Sequence, residues 1–205
     1  MTTTDITPYD FVPADVAPAG PARPKLLLLA TSLTSVAMAM GFLGLIGYYA
    51  AERAAVIQTG ERWLPEGVEI PLTQPNFMGV SIAFSVITIW WAVASVRNDD
   101  RSHALLAYAI SILFAVAYIA QTAYLFTIMQ IEINADERSA LLYGVIGTHL
   151  VMMIVAIGFV LVVGLRTLAG EYSSRDYDGV NSAALFWTVV AALYGVMWYA
   201  IYITK

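Results

Sequence analysis

The chain has few side chains that could bind a metal or transfer a chemical group. Its 205 residues contain two histidines, His103 and His149, and no cysteine. The lack of cysteine excludes an iron–sulfur cluster, a thiolate zinc or copper site and a disulfide framework. Haem held by paired axial histidines, or copper held by several, would need more histidines than these two. We therefore expect no catalytic, cofactor-binding or metal-ligating residue on this chain.

His149 lies well inside a long apolar segment, about 15 Å from its start at ~1.5 Å per residue. It could act as a ligand or proton relay, or as a neutral imidazole hydrogen-bonded to a neighbouring helix. No second ligand lies near it in the sequence, which favours the packing role. Gln121 and Tyr124, at i and i+3 with Tyr118 one turn earlier, are its predicted partners. With Tyr143 they form the candidate set of intramembrane packing or lipid-cleft residues.

The elements that must position these side chains follow from the charge pattern. Hydrophobic residues make up 60% of the chain and charged residues 12%, about half the charged share of a soluble domain. Five stretches contain no Asp, Glu, Lys or Arg, and each is longer than the roughly 20 residues that a spanning helix requires. The sequence predicts an all-α integral membrane bundle with five transmembrane helices, at about 25–51, 77–97, 104–130, 140–166 and 181–204.

The segments outside these helices are short. Residues 1–24 contain five of the eight prolines and are predicted to form a mobile Pro-rich tail that precedes a transmembrane domain at 25–205. Trp63, in the proline-containing link 60–76, is a predicted interfacial anchor, because an indole favours the boundary between lipid and water. Arg166 and Trp187 are the other candidate interfacial anchors.

Charge also predicts orientation. Six Lys and Arg residues lie on the side of the N-terminus and four on the other, which places the N-terminus in the cytoplasm and the C-terminus outside. The net charge of −5 argues against a nucleic-acid partner. The outer side is acidic, and it could attract a basic partner or form only a solvated rim. Its acidic residues are Glu52, Glu61, Glu66, Glu69, Glu132, Asp136 and Glu137.

Glycine recurs every third residue in the first helix, at Gly41, Gly44 and Gly47. Bare backbone of this kind allows close helix packing, or it forms one wall of a lipid-filled groove. The sequence leaves both interpretations open.

Four segments carry a family resemblance through their order and spacing. The link RWLPEGVEIPLTQPN leads into FMGVSIAFSVIT, and YIAQTAYL contains Gln121. SALLYGVIGTH ends at His149, Arg166 closes the same helix, and EYSSRDYDGVNSAALFW ends at Trp187. Together they resemble subunit III of haem–copper respiratory oxidases, in the short five-helix form found in bacteria, over residues 25–205.

The sequence departs from that family at its intramembrane ionisable positions. A buried glutamate of the family's first shared helix is replaced by Ala37 or Met38, and its second histidine falls near Met152. Tyr124 stands where the family has a glutamate in helix three. A Trp-His-Phe-Val-Asp segment of the family reads here as residues 187–191, WTVVA. Any contribution of those groups to proton handling is therefore in question for this chain.

The resemblance implies a non-catalytic subunit of an aerobic terminal oxidase in the bacterial cytoplasmic membrane. It implies partners in oxidase subunits I and II, phospholipid in a V-shaped cleft, support of proton uptake, and haem and copper only on the partner subunits. A soluble or membrane-anchored cytochrome c is the expected binding partner near the acidic outer side. One alternative is a subunit-III-like accessory protein of nitric oxide reductase. Another, of a different class, is a small transporter or channel that uses His149 and the glycine-lined helix.

Overall fold

A computed structural model describes residues 25–64, 70–129 and 136–204. The predicted mobile tail at 1–24 lies outside the described residues, as do Glu66, Glu69 and Glu132 of the acidic outer side.

The predicted five-helix transmembrane bundle is confirmed. Each helix is long and apolar enough to cross a membrane, and the described residues contain no strand beyond one isolated bridge between Ser173 and Asp176. A five-residue π-helical turn, Tyr199–Ile203, continues the last helix. The helices are α1 Leu26–Gln58, α2 Thr73–Arg97, α3 Arg101–Met129, α4 Glu137–Ala169 and α5 Asp178–Trp198.

All five helices extend beyond the charge-free stretches. The largest difference is in α1, which continues through Glu52 and Arg53 to Gln58 rather than ending near Ala51. Charged residues are unfavourable in the bilayer core but are ordinary helix formers in water, so charge marks where the membrane ends and not where the helix ends.

Local signals fix both ends of α4. The Asp136 carboxylate accepts a hydrogen bond from the Ser139 amide at 2.7 Å, as an N-cap does, and the Ser139 side chain and amide together lower the pKa of Asp136. At the other end Gly170 has φ 86°, a left-handed conformation that only glycine adopts at low cost.

Helix α5 is the hub of the bundle, because it packs against α1, α2 and α4, while α3 closes the bundle by packing against α2 and α4. The largest fully buried side chains include Trp187 of α5 and Tyr118 of α3. Beyond the helix ends, the Asp99 carboxylate accepts a hydrogen bond from the Ser174 amide at 2.7 Å and joins the α2–α3 loop to the α4–α5 loop.

Candidate functional site

His149 forms a buried bridge between three helices. Its Nδ1 lies 2.7 Å from the Tyr118 hydroxyl of α3, and its Nε2 lies 3.0 Å from the Val190 carbonyl oxygen of α5. A carbonyl oxygen can only accept, so Nε2 carries the hydrogen of a neutral ring and Nδ1 accepts from the Tyr118 hydroxyl. One imidazole on α4 thus hydrogen-bonds to both neighbouring helices.

Aromatic rings surround this bridge on its remaining sides. The His149 ring centroid lies 5.6 Å from that of Tyr194 and 5.8 Å from that of Phe42. The Tyr194 hydroxyl donates to the Pro75 carbonyl at the start of α2. Both nitrogens of His149 are occupied, and the described part of the chain holds no group of three His, Asp or Glu residues that could bind a metal. The arrangement supports a packing role and offers no open ligand position.

Of the three side chains grouped on helix α3 in the prediction, Tyr118 binds His149, and Gln121 and Tyr124 do not. Gln121 donates from Nε2 to the Ser81 hydroxyl of α2 at 3.2 Å, and Tyr124 is 56% exposed. Helical geometry explains the difference, because each residue turns the chain by roughly 100°. Three residues beyond Tyr118 the side chain faces α2, and six residues beyond it the side chain faces outward.

Tyr143 lies where α3 and α4 meet near the acidic side of the bundle. It is almost fully buried, and its ring packs edge-on against Phe126 with the centroids 4.9 Å apart. Its surroundings are therefore those of a packing residue.

The three candidate anchors have different environments. Trp187 was wrongly predicted as an interfacial anchor: it is 0% exposed, and its indole N–H donates to the Ser85 hydroxyl of α2 at 2.9 Å. Trp63 is 7% exposed and donates to the Tyr49 hydroxyl at 3.0 Å, so its indole is engaged with α1. Arg166, in the last turn of α4, is about half exposed, with its Nε 3.5 Å from the Glu171 carboxylate.

An apolar groove between α2 and α5 was not predicted from the sequence. Its volume is about 750 Å³, and it opens on the outside of the bundle. Small residues on both helices create the space, and their spacing is the signal that could have revealed it; they are Gly79, Ala83, Ala191, Ala192 and Gly195. The glycines of α1 do not line this groove, and a Cβ at Gly41, Gly44 or Gly47 would meet nothing within 4 Å. They face open space and do not pack within the chain.

A smaller cleft of about 220 Å³ lies at the acidic side, next to Trp63. The carboxylates of Glu52, Asp136 and Glu137 line it together with Arg138. The Arg138 guanidinium is paired with Glu61, 2.7 Å from that carboxylate, and is thus partly neutralised. Negative charge therefore dominates the mouth of this cleft.

Comparison with known proteins matches the family model of cytochrome c oxidase subunit III to residues 25–205. The chain belongs to this family. It is 24% identical over 183 residues to cytochrome c oxidase subunit 3 of Synechocystis sp., covering 88% of this chain and 77% of that protein. It is 25% identical over 185 residues to cytochrome c oxidase subunit 3 of Bos mutus grunniens, covering 89% and 71%.

Membership in the subunit III family confirms the resemblance drawn from the motifs. The chain is a multi-pass membrane protein and a haem–copper oxidase subunit III, which implies a complex with other oxidase subunits. Within this multi-pass subunit, the intramembrane His149 is hydrogen-bonded through both ring nitrogens to neighbouring helices.

Proposed function

We propose that this chain is a structural subunit of a bacterial terminal oxidase that packs on the catalytic subunit I, binds phospholipid, and supports the stability and proton uptake of that subunit. One observation carries the proposal: the His149 and Trp187 side chains at the centre of the bundle form hydrogen bonds within it, while large apolar side chains cover its outside. Exposed examples on three helices are Leu33, Met40, Phe77, Ile87, Leu113 and Val116. Such a molecule acts through its surface, on protein and lipid.

The proposed location is the bacterial cytoplasmic membrane, with the N-terminus in the cytoplasm. The distribution of Lys and Arg supports this orientation. It puts the cleft lined by Glu52, Asp136 and Glu137 on the outer side of the membrane.

The test of the proposal is purification of the tagged chain from its own membranes in mild detergent, followed by an absorbance spectrum. We expect haem absorbance in the eluate, carried by larger partner subunits. A colourless chain that purifies alone would contradict the proposal, and so would a partner with the haem composition of a nitric oxide reductase. A second experiment tests the alternative of a small transporter or channel. In liposomes that contain the purified chain, we expect no movement of ions or solutes across the membrane.

The acidic outer side is proposed to attract a basic cytochrome c to the oxidase. Long-range attraction of this kind raises the association rate and weakens with salt. The double variant Glu52→Gln with Glu137→Gln should lower the rate of cytochrome c oxidation at low ionic strength and leave the rate at high ionic strength unchanged. Glu171→Gln, a carboxylate at the opposite end of the bundle, is the matched control. Equal rates for both variants at low salt would contradict the proposal.

A further inference from the structure

The groove between α2 and α5 has a defined length. It extends over ten helical steps of each helix, from Asn76 to Val86 and from Thr188 to Trp198. At ~1.5 Å per residue this is about 15 Å, half of the roughly 30 Å hydrocarbon core of a bilayer. The groove therefore matches one leaflet, on the side of the membrane where α2 begins.

Hydrogen bonds across the groove join α2 to α5 at both ends. At one end the Trp198 indole N–H donates to the Asn76 side-chain oxygen at 3.0 Å. At the other end the Trp90 indole N–H donates to the Thr188 hydroxyl, also at 3.0 Å. A spanning helix of a partner protein would have to run past both indoles, since it needs the full membrane thickness. A narrower occupant fits between them.

The lining of the groove offers no charged group and almost no free polar atom. The Tyr194 hydroxyl at its base donates to Pro75, and the Thr188 hydroxyl donates to the Ala184 carbonyl while it accepts from Trp90. The rest of the lining is aliphatic or glycine apart from Trp198 and Asn76 at one end, where the Asn76 side-chain oxygen accepts from the Trp198 indole. An occupant thus gains contact only through hydrocarbon, and about 750 Å³ is within the range of small-molecule sites.

We infer that this groove holds one acyl chain of a phospholipid from the leaflet on the side where α2 begins. The inference rests on the proposed function in one respect, the claim that the subunit binds phospholipid, and it names the place and the part of the lipid that is bound. The headgroup of the same lipid lies near Asn76 and Trp198, at the polar end of the groove.

Filling the groove tests this assignment. A Cβ at Gly195 meets nothing within 4 Å, so Gly195→Leu places a side chain in the groove without a clash in the bundle. Gly158→Leu on α4 is the matched control, because its Cβ is equally free and it lies outside the groove. Phospholipids retained by each complex, extracted into polymer-bounded native membrane discs, are counted by native mass spectrometry. We expect Gly195→Leu to lose one phospholipid per copy of this chain, and Gly158→Leu to lose none.

A second measurement locates the lipid without a variant. Phosphatidylglycerol with a photoreactive diazirine in the middle of one acyl chain is incorporated into membranes that contain the wild-type complex, and the labelled peptides are identified. We expect labels within 76–86 and 188–198. Labels confined to other segments, or equal phospholipid counts in the two leucine variants, would overturn the inference.

The same samples separate this inference from the proposed function. Haem absorbance reports whether the chain purifies with an oxidase, and the phospholipid count reports whether the groove is occupied. If Gly195→Leu releases a partner subunit and keeps its lipids, the groove seats protein and the inference is wrong while the proposed function stands. If no haem co-purifies, the proposed function fails, and the lipid count still decides what the groove holds.

Discussion

Helix α5 packs against α4 and against α2, and polar side chains lie in the middle of both contacts, but only the contact with α2 encloses a groove. On the α4 side His149 reaches the Val190 carbonyl from deep inside the bundle. On the α2 side Trp187 bonds to Ser85 at mid-helix, while the bonds of Trp90 and Trp198 lie at the two ends of the groove, and small residues leave space between those ends. One contact is closed along its length, and the other encloses a groove.

The difference between these two contacts shows how a membrane bundle can contain a groove between two helices and still hold those helices in fixed positions. Helices in lipid associate through close contact and interhelical hydrogen bonds, because lipid is as apolar as the side chains themselves. A bond in the middle of a contact pulls the helices together at that depth. Bonds at the two ends of a groove fix the distance between its helices. A lipid chain can then fill the space between those bonds.

Trp187→Ala tests the closed interior with the largest expected effect. The indole is fully buried and donates to Ser85, so its removal leaves a cavity and should lower the free energy of unfolding by about 3–5 kcal/mol. Unfolding in mixed micelles of increasing sodium dodecyl sulfate measures the change. Trp91→Ala, at a partly exposed indole on α2, is the control and should cost much less. Similar losses for the two variants would contradict the assignment of Trp187 to the core.

His149→Leu removes the bond that closes the α4–α5 contact. The Tyr118 hydroxyl loses its acceptor inside the bundle and the Val190 carbonyl loses its side-chain donor, so we expect a loss of about 2 kcal/mol. Thermal unfolding of the purified complex in detergent, with haem absorbance as the readout of assembly, measures it. His103→Leu replaces an exposed histidine and should change little. If the His149 variant extracts intact with wild-type stability, the packing role is wrong.

The sequence predicted the bundle well and the contacts within it less well, for one physical reason. Five long charge-free stretches are enough to predict five spanning helices, because the bilayer excludes charge at every position along them. Which face of a helix meets which neighbour depends on packing, and apolar residues cover all sides of these helices. Tyr118, Gln121 and Tyr124 lie within two turns, yet they face α4, α2 and the outside of the bundle respectively.

The two bonds at the ends of the groove are each expected to contribute less. Trp198→Phe keeps the ring and removes the indole N–H that binds Asn76, so we expect a loss of about 0.5–1 kcal/mol. The same variant should speed exchange of the phospholipid in the groove, measured with deuterated lipid and mass spectrometry. Tyr199→Phe, on the exposed surface one residue later, is the control. Unchanged exchange in Trp198→Phe would show that the indole does not close the groove.

The smallest effect is expected outside the membrane, where the Ser174 amide donates to the Asp99 carboxylate. Hydrogen bonds from the Ser174 side chain and amide hold the pKa of Asp99 below its ordinary value of 3.8, so their contribution is complete at neutral pH and is lost as the pH falls below 3.8. Asp99→Asn keeps an acceptor and tolerates the backbone φ of 56° at this position. We expect the variant to make amide exchange at Ser174 less sensitive to acid, after correction for intrinsic exchange.

Asp100→Asn is the control for that measurement, because Asp100 binds His103 within its own segment and does not reach the α4–α5 loop. Above about pH 5 the stability difference between each variant and the wild-type chain should be small and independent of pH, since both carboxylates remain ionised there in the wild-type chain. A large loss of stability in Asp99→Asn at neutral pH would mean that the loops, and not the buried contacts of α5, hold the helices in place. The comparison between the two sides of α5 would then have to be made again with the loop bond as the dominant constraint.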